Sequence, residues 1–226
     1  MRNDPNLLHA YQHNHDISRD ECRRLYDLVD DPWNLGSTLN YRCYADIVTR
    51  LDKYMQWSDL DWILDYGAGI GTFTQAVKDQ YPHIQSIGID FDTARLAAER
   101  RFGSQIFDHF FAMDEHVNEH DLLRHRFPAL GVNRLGICFF NSANYVFKDL
   151  KKTARIRALS RLIKRFEKIA RTGDCRYLLV SSNFSDRGAI RAIERRDTQL
   201  VYLSRDLTLD SDIPGFRAEL HTRVWR

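Results

Sequence analysis

The segment DYGAGIG, residues 65–71, constrains the fold of this chain more than any other. An apolar run from Trp62 to Tyr66 precedes it, and a stretch with helical periodicity follows from Thr72. Small residues let the backbone turn sharply, so a ligand can approach the main chain within contact distance. The free amides at the start of the following helix face the same loop. The segment therefore predicts a strand–loop–helix unit that holds a nucleotide-type ligand through its backbone.

The spacing of the glycines separates this loop from two other nucleotide-binding loops. A dinucleotide fingerprint has the pattern G-x-G-x-x-G, whereas Gly67, Gly69 and Gly71 place the third glycine one residue early. Asp65 precedes the loop, and its negative charge disfavours a pyrophosphate and suits a ligand that carries an ammonium and a sulfonium. A P-loop is excluded because no G-K-[ST] follows.

Strands and helices alternate on both sides of the loop. The predicted strands are Trp62–Tyr66, Ile84–Asp90, Phe107–Met113, Arg134–Phe140 and Arg176–Ser182, and the predicted helices are residues 5–31, Tyr41–Met55, Thr72–Tyr81, Thr93–Phe102 and Leu150–Arg171. Two further alternating strands, Gln199–Leu203 and Arg217–Trp225, predict an antiparallel hairpin at one sheet edge. We expect a doubly wound α/β domain over residues 59–226, preceded by a helical cap over residues 1–58.

Acidic residues end the predicted strands that follow the glycine loop. Asp90 lies 25 residues after Asp65, and a carboxylate in that place is suited to accept hydrogen bonds from both hydroxyls of a ribose. Phe91 is placed to pack against an adenine face, and Asp114 to accept a hydrogen bond from the adenine amino group. The alternative for each aspartate is that it caps the next helix.

These motifs resemble those of the class I S-adenosylmethionine (SAM)-dependent methyltransferases. The resemblance is carried by DYGAGIG, by IGID at residues 87–90 and by AMD at residues 112–114, and it covers about residues 61–182. It implies a Rossmann-like, seven-stranded mixed sheet in the order 3-2-1-4-5-7-6, with SAM as cofactor. The residues implied to bind the methionine part are Asp65, Gly67, Ala68, Gly69 and Gly71. Asp90 is implied to bind the ribose and Asp114 the adenine.

The N-terminal part carries a second resemblance. Residues 31–48, DPWNLGSTLNYRCYADIV, are similar to a pattern of nodulation-type N-methyltransferases of amino sugars, although the Tyr-Glu pair of that pattern is absent. The similarity indicates that residues 30–45 cover the cofactor pocket.

The catalytic candidates lie in the loop after the fourth strand, NSANY at residues 141–145. Asn141 and Tyr145 are candidates to position the nucleophile beside the transferred methyl group, as is Tyr41, and Asn141 is also expected to contact the cofactor. The alternative is that this loop only closes a turn. The loop lacks the N-P-P-Y pattern of DNA amino-methyltransferases. His13 and His15 are further base candidates, for which a surface role is favoured.

Metal chemistry is not expected. Residues 116–120 fit an H-x-x-E-H pattern, but the sequence names no third ligand, and an exposed helix start is the preferred interpretation. The four cysteines form no C-x-x-C and are expected to be reduced core thiols. The chain has no apolar run that would span a membrane, and its polar N-terminus lacks a signal peptide, so a cytoplasmic location is expected.

The charge is unevenly distributed, although the net charge of the chain is only +2. Residues 148–226 carry 19 Lys and Arg against 10 Asp and Glu. The basic helix in this part has an apolar face and no interleaved aromatics, which favours a solvated surface over a nucleic-acid interface.

We expect methyl transfer to an N or O nucleophile of a small molecule, by a monomer or homodimer that does not bind nucleic acid or membranes. The alternatives are an RNA or nucleotide methyltransferase, a catalytically silent SAM-binding interaction protein, and an aminopropyl transferase.

Overall fold

The computed structural model describes residues 7, 18–29, 41–103, 105–113, 125–140, 142, 150–151, 153–154, 157–158, 161–162, 175–182, 202–210 and 217–225. Beyond residue 174 it describes the backbone alone. Within these ranges, no helix is both long enough and apolar enough to cross a membrane.

One sheet joins the described strands, which are β1 (Trp62–Tyr66), β2 (Gln85–Asp90), β3 (His109–Ala112), β4 (Leu135–Phe140), β5 (Cys175–Ser182), β6 (Tyr202–Asp210) and β7 (Arg217–Trp225). Their order is β3-β2-β1-β4-β5-β7-β6. The strands from β3 to β5 run parallel, and β7 pairs antiparallel with both β5 and β6. Consequently β1 is the middle one of the five parallel strands, and its carboxyl end meets those of β2 and β4 at one edge of the sheet. The predicted α/β alternation is confirmed.

The helices that the structure bounds are α1 (Arg19–Leu28), α2 (Tyr41–Met55), α3 (Thr72–Gln80), α4 (Asp92–Phe102) and the short α5 (Phe127–Leu130), with a 3-10 turn at Trp57–Asp59. All five residues of β1 are buried, as expected for a central strand with helices on both faces. α1 packs against α4, and α2 packs against α3.

The main hydrophobic core joins α2 to the sheet. Val48 and Leu51 are buried in one cluster with Ile63 of β1 and Phe73 of α3. Trp57 closes this cluster, and its indole Nε1 donates a hydrogen bond to the Val48 carbonyl oxygen at 2.9 Å. The predicted N-terminal cap, residues 1–58, thus contains a helix that is integrated in the core of the α/β domain.

The leading helix does not run unbroken over residues 5–31 as predicted. Ser18 has extended backbone angles and caps a new helix, because its hydroxyl accepts a hydrogen bond from the Glu21 amide while the Glu21 side chain binds the Ser18 amide. This reciprocal pair is a capping box, which starts α1 at Arg19. Val29 is extended again and ends the helix.

The terminal hairpin also differs in one strand. The strand predicted over Gln199–Leu203 is observed as β6, which begins at Tyr202 and extends to Asp210. β6 pairs with β7 over nine residues, from Tyr202 opposite Trp225 to Asp210 opposite Arg217. The residues that join these two strands lie outside the described ranges.

Candidate functional site

The glycine loop is fastened to the end of β2 by its backbone. Gly67 and Gly69 have φ angles of +73° and +56°, in the left-handed region that glycine adopts without strain. The amides of Gly67 and Ala68 both donate to the carbonyl oxygen of Ile89, at 2.8 and 3.2 Å. The loop therefore lies over the carboxyl ends of β1 and β2, as the sequence predicts.

Gly67 is required by packing as well as by its backbone angle. A Cβ atom at this position would overlap the Cβ of Ser142, which is the second residue after β4. Ser142 is buried, and its hydroxyl donates a hydrogen bond to the Tyr66 carbonyl oxygen. The loop after β1 and the chain after β4 are thus in direct contact at this edge of the sheet.

Asp90 connects the end of β2 to the glycine loop. Its Oδ2 accepts a hydrogen bond from the Gly69 amide at 2.7 Å, and its Oδ1 accepts from the Phe91 amide at 2.7 Å. Only 7% of the residue is exposed. Both carboxylate oxygens thus hold backbone amides at the junction of the glycine loop and the end of β2.

Asp65 lies beneath the loop at the end of β1. It is 1% exposed, and its Oδ2 accepts a hydrogen bond from the Thr74 hydroxyl at 2.8 Å. Burial raises the pKa of Asp65 from its ordinary value of 3.8 to about 7; the Thr74 hydrogen bond opposes this rise and the negative charge of Asp90 adds to it. The site therefore holds a carboxyl group that changes its charge near neutral pH.

Phe91 follows Asp90 at the end of β2, which lies on the opposite side of β1 from β4. It is half-buried and packs against an apolar cluster that contains Ile70 of the loop, Tyr26 of α1 and Ala94 of α4. Asp65, the glycines, Asp90 and Phe91 are thus brought together at one edge of the sheet.

Tyr41 is placed elsewhere. Its hydroxyl donates a hydrogen bond to the carboxylate of Asp79, near the C-terminal end of α3. Asp79 lies seven residues beyond Thr72, which is about 10 Å along a helix. The Asp79 hydrogen bond, with burial and the charge of Asp79, raises the pKa of Tyr41 to about 12. The structure thus does not bring Tyr41 to the glycine loop, because α2 packs alongside α3 and sets Tyr41 against the far end of that helix.

Other predicted site residues lie outside the described ranges, namely Asp114, Asn141 and Tyr145, together with residues 30–40 and 116–120. Among the side chains that are described, no group of three His, Cys, Asp or Glu residues is arranged to hold a metal ion.

Sequence reasoning missed two residues of the site, Thr74 and Ser142. Thr74 is completely buried on the side of α3 that faces β1. A polar residue on the apolar face of a predicted helix, one turn after a glycine loop, is the signal that indicates such a partner. Ser142 stands beside Asn141 in the loop after β4, where its small size permits contact with Gly67.

No protein-family model matches the chain, and no curated protein matches its sequence. Solved structures do match. An O-methyltransferase family protein from Burkholderia thailandensis is 13% identical, with a TM-score of 0.53 over 92% of this chain and 62% of its own. A putative O-methyltransferase from Nostoc punctiforme PCC 73102 is 11% identical, with a TM-score of 0.54 over 91% and 59%. The bifunctional kinase-methyltransferase WbdD is 11% identical, with a TM-score of 0.51 over 85% and 41%.

The chain thus spans about three fifths of the length of the first two structures. At these identities the likeness establishes the fold. The chain has the α/β Rossmann-like fold of the class I SAM-dependent methyltransferases.

Proposed function

We propose that this protein binds SAM and transfers its methyl group to an N or O nucleophile of a small molecule. The observation that carries the proposal is the junction of Asp90 and Gly69, where the carboxylate at the end of β2 binds the backbone of a left-handed glycine loop. It supports a nucleoside site in which Asp90 faces the ribose and the loop faces the amino-acid part.

The charged groups of the site fit SAM better than they fit a dinucleotide. Asp65 and Asp90 are two buried carboxyl groups at neighbouring strand ends, and the pKa of Asp65 is raised chiefly by burial, with a smaller contribution from the charge of Asp90. A cationic ligand relieves this repulsion and favours the ionised form of both groups, whereas a pyrophosphate adds to the negative charge. Asp65 is enclosed beneath the loop, so we propose that it acts on the ligand chiefly through its charge.

When bound, SAM supplies an electrophilic methyl group on sulfur. The protein's part in such a displacement is to hold the nucleophile in line with the methyl–sulfur bond at about 3–3.5 Å and to exclude water. We propose that Asn141 and Tyr145 serve this purpose and that Asp114 binds the adenine. Their places in the chain support this, because they follow β4 and β3, whose carboxyl ends lie on either side of the glycine loop.

The N-terminal part supplies a candidate cover for the site. α1 packs on Phe91 and on the loop residue Ile70, and we propose that it covers the nucleoside end, with residues 30–45 covering the rest. The small-molecule substrate, the cytoplasmic location and the monomeric or dimeric state are predictions from the sequence.

Isothermal titration with SAM and with S-adenosylhomocysteine tests the proposal. We expect micromolar binding to the wild type and a loss of at least about tenfold in Asp90→Ala, the size expected when a charged hydrogen-bonding group is removed. Asp92→Ala is the matched control, because Asp92 is a carboxylate two residues away whose side chain is 46% exposed and forms an ion pair with Arg95 on its own helix. Equal binding by wild type and Asp90→Ala would contradict the proposal.

Further binding and activity measurements separate the alternative functions. Preference for decarboxylated SAM would favour an aminopropyl transferase, and salt-sensitive RNA binding would favour an RNA methyltransferase. SAM binding without methyl transfer to any of a broad panel of amines and hydroxyl compounds would favour a silent interaction protein.

A further inference from the structure

Arg19 bridges the ends of two neighbouring strands. Its guanidinium carbon lies 5.5 Å from the centre of the Phe91 ring, and its Nη2 donates to the Met113 carbonyl oxygen at 3.5 Å. Asp90 and Ala112 are the last register partners of β2 and β3, so Phe91 and Met113 are the next residue on each strand. One side chain of α1 thus contacts both positions at which the chain leaves the sheet beside the proposed nucleoside site.

The position of Arg19 is fixed by the start of α1. Arg19 is the first residue of the helix, directly after the Ser18 cap, and the capping box with Glu21 sets where that first turn lies. Cys22 and Leu25 are buried against the side that carries Phe91. The helix therefore presents Arg19 to the strand ends from a defined direction.

α1 is also tied to α4 further along. The Thr93 hydroxyl donates to the Arg23 carbonyl oxygen at 3.2 Å, and Arg100 Nη2 donates to the Tyr26 carbonyl oxygen at 3.0 Å. Both bonds involve backbone carbonyls of α1, so the helix is held independently of the Arg19 side chain. The contact between Arg19 and Phe91 is therefore not needed to hold α1 against the domain.

We infer that Arg19 is a positioning residue for the purine base of the bound nucleoside. This rests on the proposed function, because it takes Asp90 as the ribose carboxylate and Phe91 as the neighbour of the base. A planar guanidinium stacks on aromatic faces and donates in its plane, so Arg19 holds the Phe91 ring in place and adds a cationic edge to the base pocket. A purely structural role for Arg19 makes a different prediction, namely lower stability with unchanged ligand affinity.

The experiment compares Arg19→Ala with Arg23→Ala, using titration calorimetry and thermal unfolding. Arg23 lies one turn further along α1 and its side chain is exposed. The probes are S-adenosylhomocysteine, 5′-methylthioadenosine, which keeps the base and ribose, and methionine. We expect Arg19→Ala to weaken the binding of both nucleosides by the same factor, about 5- to 30-fold, and to leave the binding of methionine unchanged. Arg19→Lys, which keeps the charge but not the plane, should recover part of the loss.

The outcomes separate the inference from the proposed function. Absence of S-adenosylhomocysteine binding by the wild type contradicts the proposed function itself. Binding by the wild type that Arg19→Ala leaves unchanged overturns the role of Arg19 alone, as does a lower melting temperature without a change in affinity. If Arg19→Ala does not fold, Arg19→Lys and Arg19→Gln carry the same comparison, and equal affinity of these two variants and the wild type overturns the inference.

Discussion

Replacing Asp65 with asparagine removes an ionisable group from the buried end of β1 while keeping its shape. The amide oxygen of the new side chain can still accept the Thr74 hydrogen bond that Asp65 accepts at 2.8 Å. The substitution therefore isolates the cost of the buried negative charge. Because burial raises the pKa of Asp65 to about 7, that cost depends on pH.

The size and sign of the effect follow from linkage between protonation and folding. A rise of the pKa from 3.8 in the unfolded chain to about 7 in the fold corresponds to about 4 kcal/mol, at about 1.4 kcal/mol per pH unit. Between these two values the native state holds a proton that the unfolded state releases, so stability falls as pH rises and levels off above about 7. Asp65→Asn has no ionisable group at this position, so its stability does not fall for this reason. Its stability relative to the wild type should rise by about 4 kcal/mol between pH 4 and pH 8.

Urea unfolding of both proteins at pH 4, 6 and 8, without ligand, measures this difference. Comparison at each pH cancels the titration of the groups that the two proteins share. Asp59→Asn is the control, because Asp59 is an exposed carboxylate close to β1, so the stability of this variant should differ little from that of the wild type at each pH. A constant difference between Asp65→Asn and wild type across the pH range would refute the reasoning.

Three further predictions concern the same loop. Gly67→Ala should lower the free energy of unfolding by about 2–4 kcal/mol in thermal or urea unfolding, because the new Cβ overlaps Ser142 and the backbone is left-handed. Gly103→Ala is the control, since Gly103 has a φ of +68° but open space around it, and it should cost only about 1 kcal/mol. Equal losses in the two variants would contradict the packing argument. SAM affinity should increase as pH rises towards about 7, by up to about tenfold per pH unit, because a cationic ligand favours the ionised form of Asp65. Calorimetric titration in buffers of different ionisation enthalpy should show that protons are released on binding. Proton uptake on binding would exclude this coupling. Thr74→Val should weaken SAM binding about 3- to 10-fold at pH 7 and much less at pH 9, because it removes a hydrogen bond that favours the ionised carboxylate, whereas Thr74→Ser should bind as the wild type does.

Elements with a strong local pattern are predicted well from the sequence. The bounds predicted for α2, β1 and β7 agree with the structure at both ends. In β1 an unbroken apolar run ends at the glycine loop, and in α2 the apolar residues recur at helical spacing, so burial and local preference agree. The glycine loop, Asp65 and Asp90 are predicted for the same reason, because each stands at the end of such an element.

The predictions from the sequence fail where contacts between residues that are distant in sequence determine the structure. β6 continues through Ser204, Arg205 and Asp206, which interrupt an apolar pattern, because pairing with β7 extends an edge strand whatever its side chains. Tyr41 lies at the start of a correctly predicted helix, but only the packing of α2 on α3 sets it against Asp79. The contact of Arg19 with Phe91 likewise depends on how α1 docks, which no local pattern specifies.

The structure of the protein bound to S-adenosylhomocysteine tests the central claim most directly. We predict that the ribose hydroxyls bind the Asp90 carboxylate, that the amino-acid part lies against Gly67–Gly71, and that the base lies beside Phe91. A ligand that binds at another edge of the sheet, or one whose ribose makes no contact with Asp90, would contradict the assignment of this site as a SAM site.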